Sequence, residues 1–234
     1  MAVETQQDVR RALLGGLIDH APTFPPARLP TEEALAEDRR ARASEHAWIL
    51  NRLVWPASRI DEVRNYDVPL SLVLDAPVPR PGRGTRPIKA VETRWPALPD
   101  FEGEVFVELP IDGELERNLE RIRAAAAFAK VRCGGERTPS IAELARFVRA
   151  CADANVSFKA SAGLHHAVRS GPAHGFLNLL LAVLNPDSAE EALADPDPAR
   201  ALGAGHVSAR ERFRGFGSCS FFEPVADLRA LGLL

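Results

Sequence analysis

The sequence is poor in cysteine, in lysine and in long apolar runs, and these shortages exclude several classes of protein. Its 234 residues include three cysteines, Cys133, Cys151 and Cys219, without Cys-x-x-Cys spacing, so neither a disulfide framework nor a zinc motif is expected. No apolar run reaches the ~18 residues that span a membrane. The 29 basic and 32 acidic residues nearly cancel, which argues against electrostatic binding of nucleic acid.

The remaining classes are globular proteins, and the length favours a single domain over residues 1–234. The first residues lack the apolar stretch and cleavage site of a signal peptide, so a cytoplasmic protein is expected. We expect a small-molecule partner, with no nucleic acid and no membrane. A homo-oligomer stays open, because the apolar C-terminal residues would either close the fold or contact a second copy; they are Leu228, Leu231, Leu233 and Leu234.

Lysine is scarce where arginine is abundant: 26 arginines stand beside Lys89, Lys130 and Lys159. Arginine stays protonated, whereas lysine can lose its proton and form an imine with a carbonyl group. A lysine that remains in so arginine-rich a sequence is therefore a candidate for chemistry that arginine cannot perform.

Apolar runs typical of buried strands alternate with helical patterns along the chain. The predicted strands are Leu13–Asp19, Arg52–Trp55, Leu70–Leu74, Glu104–Leu109, Phe128–Val131, Val156–Lys159, a fainter one near 201–205, and Phe216–Phe221. The predicted helices are Thr31–Asn51, Glu114–Ala126, Ser140–Ala154, His174–Leu184, Ser208–Phe213 and Pro224–Leu231. Residues 77–99, with six prolines and two glycines, are predicted to form a long loop, as is the segment 185–198.

This alternation favours an α/β fold of the (β/α)8 TIM-barrel type with irregular or degenerate repeats. An open, doubly wound parallel sheet is the second choice. The barrel is preferred because polar residues follow strands throughout the chain, whereas an open sheet would collect them at one switch point.

In such a barrel, polar residues at the C-terminal ends of strands surround the active-site mouth. These positions give the candidate catalytic residues Lys159, Lys130, Glu108, Asp75 and His165. They give the candidate substrate-binding residues Asp19, His20, Arg132, Gly134, Gly135, Ser161, Gly163, His166, His174, Ser218 and Ser220.

Lys130 and Lys159 end two successive strands and are separated by one predicted helix, which is the spacing of neighbouring parallel strands. Their ammonium groups would share a pocket, where like charge and partial burial would lower the pKa of a lysine. The alternative is a structural ring of ion pairs, in which both lysines bind Glu108, Asp75 or Asp19.

The segments Lys130–Gly134 (K-x-x-x-G) and Lys159–Gly163 (K-x-x-G-G with Ala162 replacing one glycine) resemble the two lysine strands of deoxyribose-phosphate aldolase and its class I aldolase relatives. The match covers about 128–166, a sixth of the chain. By family position, Lys130 would form the Schiff base and Lys159 would lower its pKa. By our strand count, however, Lys159 is on the sixth strand, where class I aldolases usually carry the imine lysine. The sequence leaves the choice open.

The resemblance implies a Schiff-base lyase acting on a small, anionic or phosphorylated carbonyl compound without a cofactor. Glu108 or Asp75 would move protons, and Arg132 with Gly134 and Gly135 would hold the anion. Two alternatives remain. One is a metal-dependent hydrolase or isomerase using His165, His166 and His174, although no metal-binding motif predicts a metal ion. The other is a barrel that binds a ligand without catalysis.

Overall fold

The chain folds into a closed barrel of parallel strands. The structure, a computed structural model, describes residues 6–77, 88–201 and 209–234. In these ranges eight strands pair in sequence order, and the last pairs with the first. They are β1 (Ile18–His20), β2 (Leu50–Pro56), β3 (Leu70–Val73), β4 (Ile88–Arg94), β5 (Glu104–Glu108), β6 (Phe128–Arg132), β7 (Phe158–Ser161) and β8 (Phe213–Ser218). The predicted (β/α)8 barrel is confirmed, and the open sheet is excluded.

Helices surround the barrel unevenly. The α-helices are α1 (Gln6–Leu14), α2 (Thr31–Arg42), α3 (Leu115–Ala124), α4 (Ile141–Asp153), α5 (Phe176–Leu184), α6 (Ala189–Ala194), α7 (Pro198–Ala201), α8 (Ala209–Arg212) and α9 (Phe222–Ala230). A 3-10 helix, Ala57–Val63, connects β2 to β3 where a regular repeat would have an α-helix. None of the helices within the described ranges is long and apolar enough to cross a membrane.

Local sequence explains the best-defined helices. α4 begins at a capping box, in which the Ser140 hydroxyl accepts from the Glu143 N–H and the Glu143 carboxylate accepts from the Ser140 N–H. α5 is apolar on all sides and is buried from Phe176 to Val183, as expected for such a helix. Its one polar residue in the middle, Asn178, is satisfied by backbone groups of Arg169, Ala192 and Asp195.

Several predicted boundaries are wrong. Residues 13 and 14 end α1 and do not start a strand. The helix predicted over Thr31–Asn51 ends at Arg42, because the Ser44 hydroxyl donates to the Ala41 carbonyl and residues 50–56 then form β2. The segment 185–198 contains α6. The strand expected near 201–205 lies, beyond Ala201, outside the described residues.

The most consequential error concerns the predicted loop 77–99, whose second half is the central strand β4. Residues 78–87 lie outside the described part of the chain. Because β4 was missed, the strand count was low by one from that point, and Lys130 and Lys159 are on the sixth and seventh strands.

Polar side chains fill much of the barrel interior. Side chains alternate between the two faces of a strand, and the outward set packs beneath the helices, as the stacked rings of Phe216 and Phe176 do. At the N-terminal end of the barrel, Glu104 pairs with Arg52 and Arg214. Such an interior differs from the branched apolar layers usual in these barrels, and its charges must be paired to be stable.

Candidate functional site

A cavity of about 810 Å³ opens at the C-terminal ends of the strands. Strand ends and the loops after them form its wall, which is where barrels of this type hold their active sites. The lining residues are Ala21, Phe24, Pro25, Pro26, Val54, Val73, Leu74, Asp75, Glu92, Thr93, Arg94, Glu108, Lys130, Arg132, Gly135, Ser161, Ala162, Gly163, His165, Gly217 and Cys219.

Lys130 lines this cavity with its ammonium group between two carboxylates. Its Nζ lies 3.0 Å from Glu92 Oε2 and 3.3 Å from Glu108 Oε2. About 8% of its side chain is exposed. The site therefore has a largely buried lysine in the cavity wall, with one carboxylate on each side of its ammonium group.

Lys159 lies below the cavity and does not line it. Its side chain is 1% exposed, and its Nζ donates to Asp19 Oδ2 at 2.5 Å and to Glu92 Oε1 at 2.7 Å. The ammonium also lies 5.1 Å from the centre of the Phe106 ring. Burial acts to lower the pKa of Lys159, but the carboxylates of Asp19 and Glu92 raise it above its usual value. The sequence-based expectation of a lowered pKa is wrong for this lysine.

Glu92, on β4, links the two lysines. Lys130 binds one of its carboxylate oxygens, while Lys159 and the Ser71 hydroxyl bind the other. Burial would raise the pKa of Glu92, yet the two ammonium groups hold it well below the usual value. Glu92 is therefore a fixed anion, and it was missed because it falls in the predicted loop. The signal that was overlooked is the apolar pair Ala90-Val91 immediately before this acid.

Glu108 lies nearer the opening, among arginines. Its carboxylate is 3.6 Å from Arg94 Nε and 3.8 Å from Arg132 Nη1. Both arginines are exposed, with 78% and 41% of their side chains accessible. The mouth thus has two cations that an incoming anion would meet first.

Other predicted residues also line the cavity. Asp75 does so, but both of its oxygens accept hydrogen bonds from Ser58, at 2.8 and 2.6 Å. Although partial burial would raise the pKa of Asp75, these bonds lower it. The Ser161 hydroxyl is buried without a hydrogen-bond partner. Gly135 lies against the Arg132 guanidinium, at a positive φ.

Two predicted residues of β1 are buried away from the cavity. Asp19 points into the barrel and binds Lys159. His20 points outward, as alternation along a strand requires, and its Nδ1 lies 2.9 Å from Asp38 on α2. Burial would lower the pKa of His20, but the hydrogen bond to Asp38 and the nearby Glu37 carboxylate, 3.5 Å from Nε2, raise it. The structure thus removes His20 from the candidate substrate-binding set.

The three loop histidines have separate partners. His165 lines the cavity with its Nδ1 3.6 Å from Glu223, His166 pairs with Asp227 at 3.1 Å, and buried His174 contacts the Pro139 carbonyl at 2.7 Å. Among the residues that the structure describes, no group of three or more His, Cys, Asp or Glu is arranged to hold a metal ion. The predicted histidine cluster does not form.

The remaining candidates have local roles. Ser218 is buried, and its hydroxyl donates to the Ser220 carbonyl at 2.6 Å. Gly134 allows a close approach of two loops, since a side chain there would collide with the backbone of Gly163. Neither serine nor Gly134 lines the cavity.

The cysteines are poorly suited to nucleophilic chemistry. Burial raises the pKa of Cys133 to about 12 and raises that of Cys151 well above its usual value. Cys219 lines the cavity with its Sγ 3.8 Å from His165 Nδ1. Its pKa is also raised, chiefly by burial. A thiolate is the reactive form, so none of the three is activated.

Fold and site together define a (β/α)8 barrel whose C-terminal mouth contains a lysine held by two carboxylates. Comparison with protein-family models gave no match, and comparison with curated proteins gave none.

Proposed function

We propose that this protein is a lyase of the class I aldolase type, which makes or breaks a carbon–carbon bond through an imine between Lys130 and a small anionic carbonyl substrate. The observation that carries the proposal is the position of the Lys130 amine, which faces the cavity 3.3 Å from the carboxylate of Glu108. Only an amine that can be reached and deprotonated can attack a carbonyl group.

Access favours Lys130 over Lys159 as the nucleophile. Lys159 lies beneath the cavity floor, and both carboxylates around it favour its charged form. Lys130 is also on the sixth strand, the usual position of the imine lysine in the aldolases that the sequence resembles. The corrected strand count and the family position now favour the same lysine.

Glu108 is suited to move protons during imine formation. It accepts a proton from the Lys130 ammonium, and the freed lone pair forms a bond to the carbonyl carbon. Two of the three ammonium protons finally leave with the carbonyl oxygen as water, and the iminium nitrogen keeps the third. Glu92 is not suited to this role, because the lysines hold its pKa low and keep it ionised.

Bond cleavage can use the same groups. A base removes the proton of the substrate's β-hydroxyl group, the carbon–carbon bond breaks, and its electron pair neutralises the iminium to give an enamine and an aldehyde. The enamine carbon then takes up a proton, and water hydrolyses the resulting iminium to restore the Lys130 ammonium. Of the two carboxylates beside Lys130, Glu108 at 3.3 Å is the one suited to relay these protons, because the two lysines keep Glu92 ionised.

The side of the mouth that carries Arg94 and Arg132 is suited to an anionic group on the substrate. The Arg94 and Arg132 guanidiniums are exposed there, and guanidinium binds carboxylate and phosphate through paired hydrogen bonds. The unpartnered Ser161 hydroxyl lies at the end of β7, beside Arg132 in the strand pairing. A buried hydroxyl without a partner is costly, and a bound substrate oxygen would satisfy it.

Backbone geometry after Lys159 supports the resemblance on which the proposal partly rests. Ala162 has a φ of 57°, a left-handed conformation that glycine adopts far more readily than alanine. It occupies the position where the aldolase pattern has glycine. The backbone at Ala162 thus has a conformation suited to glycine, although the residue is alanine.

Reductive trapping tests the proposal. The protein is incubated with small aldehydes, ketones and their carboxylated and phosphorylated forms, reduced with borohydride, digested and mapped by mass spectrometry. We expect a reduced adduct on Lys130. With three lysines in the chain, each site of modification can be assigned without ambiguity.

Two variants and one internal control sharpen this experiment. Lys130→Arg keeps the positive charge between Glu92 and Glu108 but cannot form an imine, so the adduct should vanish. Glu108→Gln should slow adduct formation by about 10²–10⁴-fold. Exposed Lys89 reports non-specific reaction. Adducts confined to Lys89 and the N-terminal amine, or none at all, would refute the proposal and leave a ligand-binding barrel.

A further inference from the structure

The cavity wall changes character from one side of the barrel to the other. Among the described residues, those of strands β1 to β3 and of the loops after them contribute mainly apolar side chains to the lining, which are Ala21, Phe24, Pro25, Pro26, Val54, Val73 and Leu74. Strands β4 to β7 contribute the charged and hydroxyl groups, including Glu92, Arg94, Glu108, Lys130, Arg132 and Ser161. One side of the cavity is therefore built for an apolar group, and the other for chemistry.

In the described part of the chain, Asp75 is the one charged residue that lines the apolar side, and each of its carboxylate oxygens already accepts a hydrogen bond. The backbone N–H and the hydroxyl of Ser58 bind its two oxygens. Asp75 thus binds the first turn of the 3-10 helix Ala57–Val63. Its presence does not change the apolar character of this side.

The cavity is larger than a small polar carbonyl compound requires. A volume of about 810 Å³ lies in the upper part of the range of ~300–1,000 Å³ that accommodates drug-sized ligands. Small residues at the ends of β6 to β8, Gly135, Ala162, Gly163 and Gly217, leave this space open. A three- or four-carbon substrate bound at Lys130 would leave the apolar side empty.

We infer that the substrate is amphipathic: besides its carbonyl and anionic groups, it carries a branched alkyl or aryl group of at least about four carbons, which binds against Phe24, Val54, Val73 and Leu74. The inference rests on the proposed function, since Lys130 fixes where the carbonyl lies. It excludes a purely polar sugar phosphate as the preferred substrate, because such a molecule would place hydroxyl groups against side chains that cannot hydrogen-bond them.

Carboxylates without a reactive carbonyl test the apolar side independently of imine chemistry. The affinities of propanoate, 4-methylpentanoate and 3-phenylpropanoate are measured by calorimetry. The acid that binds most weakly is measured by its competition with a tighter-binding acid. We expect both larger acids to bind at least ~10-fold more tightly than propanoate, because even one methylene in an apolar pocket is worth about 10-fold or more. Equal affinities, or no measurable binding of the larger acids, would overturn the inference.

Matched leucine variants locate the preference. Leu74→Asn should weaken the binding of the larger acids until their affinities approach that of propanoate, because Leu74 lines the apolar side. Leu98→Asn changes an exposed leucine outside the cavity lining and should leave the preference unchanged. Phe24→Ser provides a second variant at a half-buried position, in case Leu74→Asn impairs folding. An unchanged preference in folded Leu74→Asn or Phe24→Ser would contradict the assignment.

The two proposals fail in distinguishable ways. Suppose that the larger acids bind more tightly than propanoate to both the wild type and Lys130→Arg while no carbonyl compound is trapped on Lys130. That result would support the amphipathic site and refute the imine. If pyruvate is trapped on Lys130 as readily as 4-phenyl-2-oxobutanoate, the imine stands and the amphipathic substrate is refuted.

Discussion

Lys159 and Lys130 differ in what their removal would leave behind. Without Lys159, Asp19 would keep the Arg52 backbone N–H as a donor but lose the ammonium at 2.5 Å, and buried Glu92 would lose one of its two cations. Removing one partner of a buried ion pair typically costs about 3–5 kcal/mol. Without Lys130, Glu92 would also lose one cation but would keep Lys159, and Glu108 would keep the arginines at the open mouth, so no carboxylate would be left without a cation.

We therefore predict that Lys159→Met lowers the free energy of unfolding by about 3–5 kcal/mol, whereas Lys130→Met lowers it by roughly 1 kcal/mol and abolishes trapping. Urea denaturation followed by circular dichroism measures both. Lys89→Met, at an exposed position, is the control and should stay within ~0.5 kcal/mol of the wild type. Equal losses for Lys130 and Lys159 would support the ring of structural ion pairs.

His20 makes stability depend on pH. Asp38 and Glu37 outweigh burial and raise the pKa of His20, so the folded state binds this proton more tightly than the unfolded chain does. The resulting stabilisation is fully present below about pH 6.5, the usual histidine pKa, and is lost as the pH rises through the raised value in the folded state.

We expect the stability difference between the wild type and His20→Gln to be about 1.5–3 kcal/mol at acidic pH, the usual range for a charged hydrogen bond. It should shrink as the pH rises, in denaturation curves recorded from about pH 5.5 to about pH 9. Asp38→Asn keeps the histidine but removes its main carboxylate, and should weaken the same pH dependence. A difference that stays constant or grows with pH would contradict this account.

At the scale of elements, a helix or strand could be predicted from the sequence where the interactions that fix it lie within one short segment. The capping residues and apolar face of α4 lie within one short segment, and the prediction of Ser140–Ala154 is accurate to a residue at each end. Strands β5 and β6 were likewise recognisable from their own apolar residues. The pairing of Lys130 with Lys159 followed from two strands and the helix between them, and it is present in the strand register.

Strand β4 could not be predicted from its own residues alone. Its seven residues include Lys89, Glu92 and Arg94, and prolines 87 and 96 lie close on either side. Its strand conformation is fixed by pairing with β3 and β5, and its central acid is tolerated because Lys130 and Lys159 come from β6 and β7 to neutralise it. No property of the segment alone indicates either interaction.

The same limit affected the assignment of roles to the two lysines. Sequence reasoning found both, but it counted strands without β4 and treated both as equally accessible. Which lysine faces the cavity depends on Asp19 and Glu92, since these residues hold Lys159 beneath the floor. Acids from β1 and β4 thus decide which of the two lysines, on β6 and β7, lines the cavity.

At the scale of the whole molecule, closure of the barrel depends on Gly215 in β8. Here β8 meets β1, with Phe216 N–H donating to the Leu17 carbonyl. Gly215 has a φ of +130°, which L-residues rarely adopt. A Cβ at this position would also lie well inside contact distance of the Leu17 carbonyl oxygen, which belongs to rigid backbone. The seam therefore has no room for a side chain at residue 215.

Gly215→Ala should accordingly destabilise the folded protein by about 3 kcal/mol or more, combining backbone strain with a backbone collision. Gly217→Ala, two residues further along the same strand, is the matched control. Its Cβ would meet only the Ser161 side chain, at an ordinary 3.9 Å, so its unfolding free energy should fall by no more than ~1 kcal/mol. Thermal and urea denaturation of both variants would separate a closure defect from a general intolerance of alanine in β8.

If the two variants were equally stable, Gly215 would not be required for the β1–β8 seam. The closed ring, in which β8 brings Asp19 of β1 beside Lys159 of β7, would then tolerate more distortion than this geometry implies.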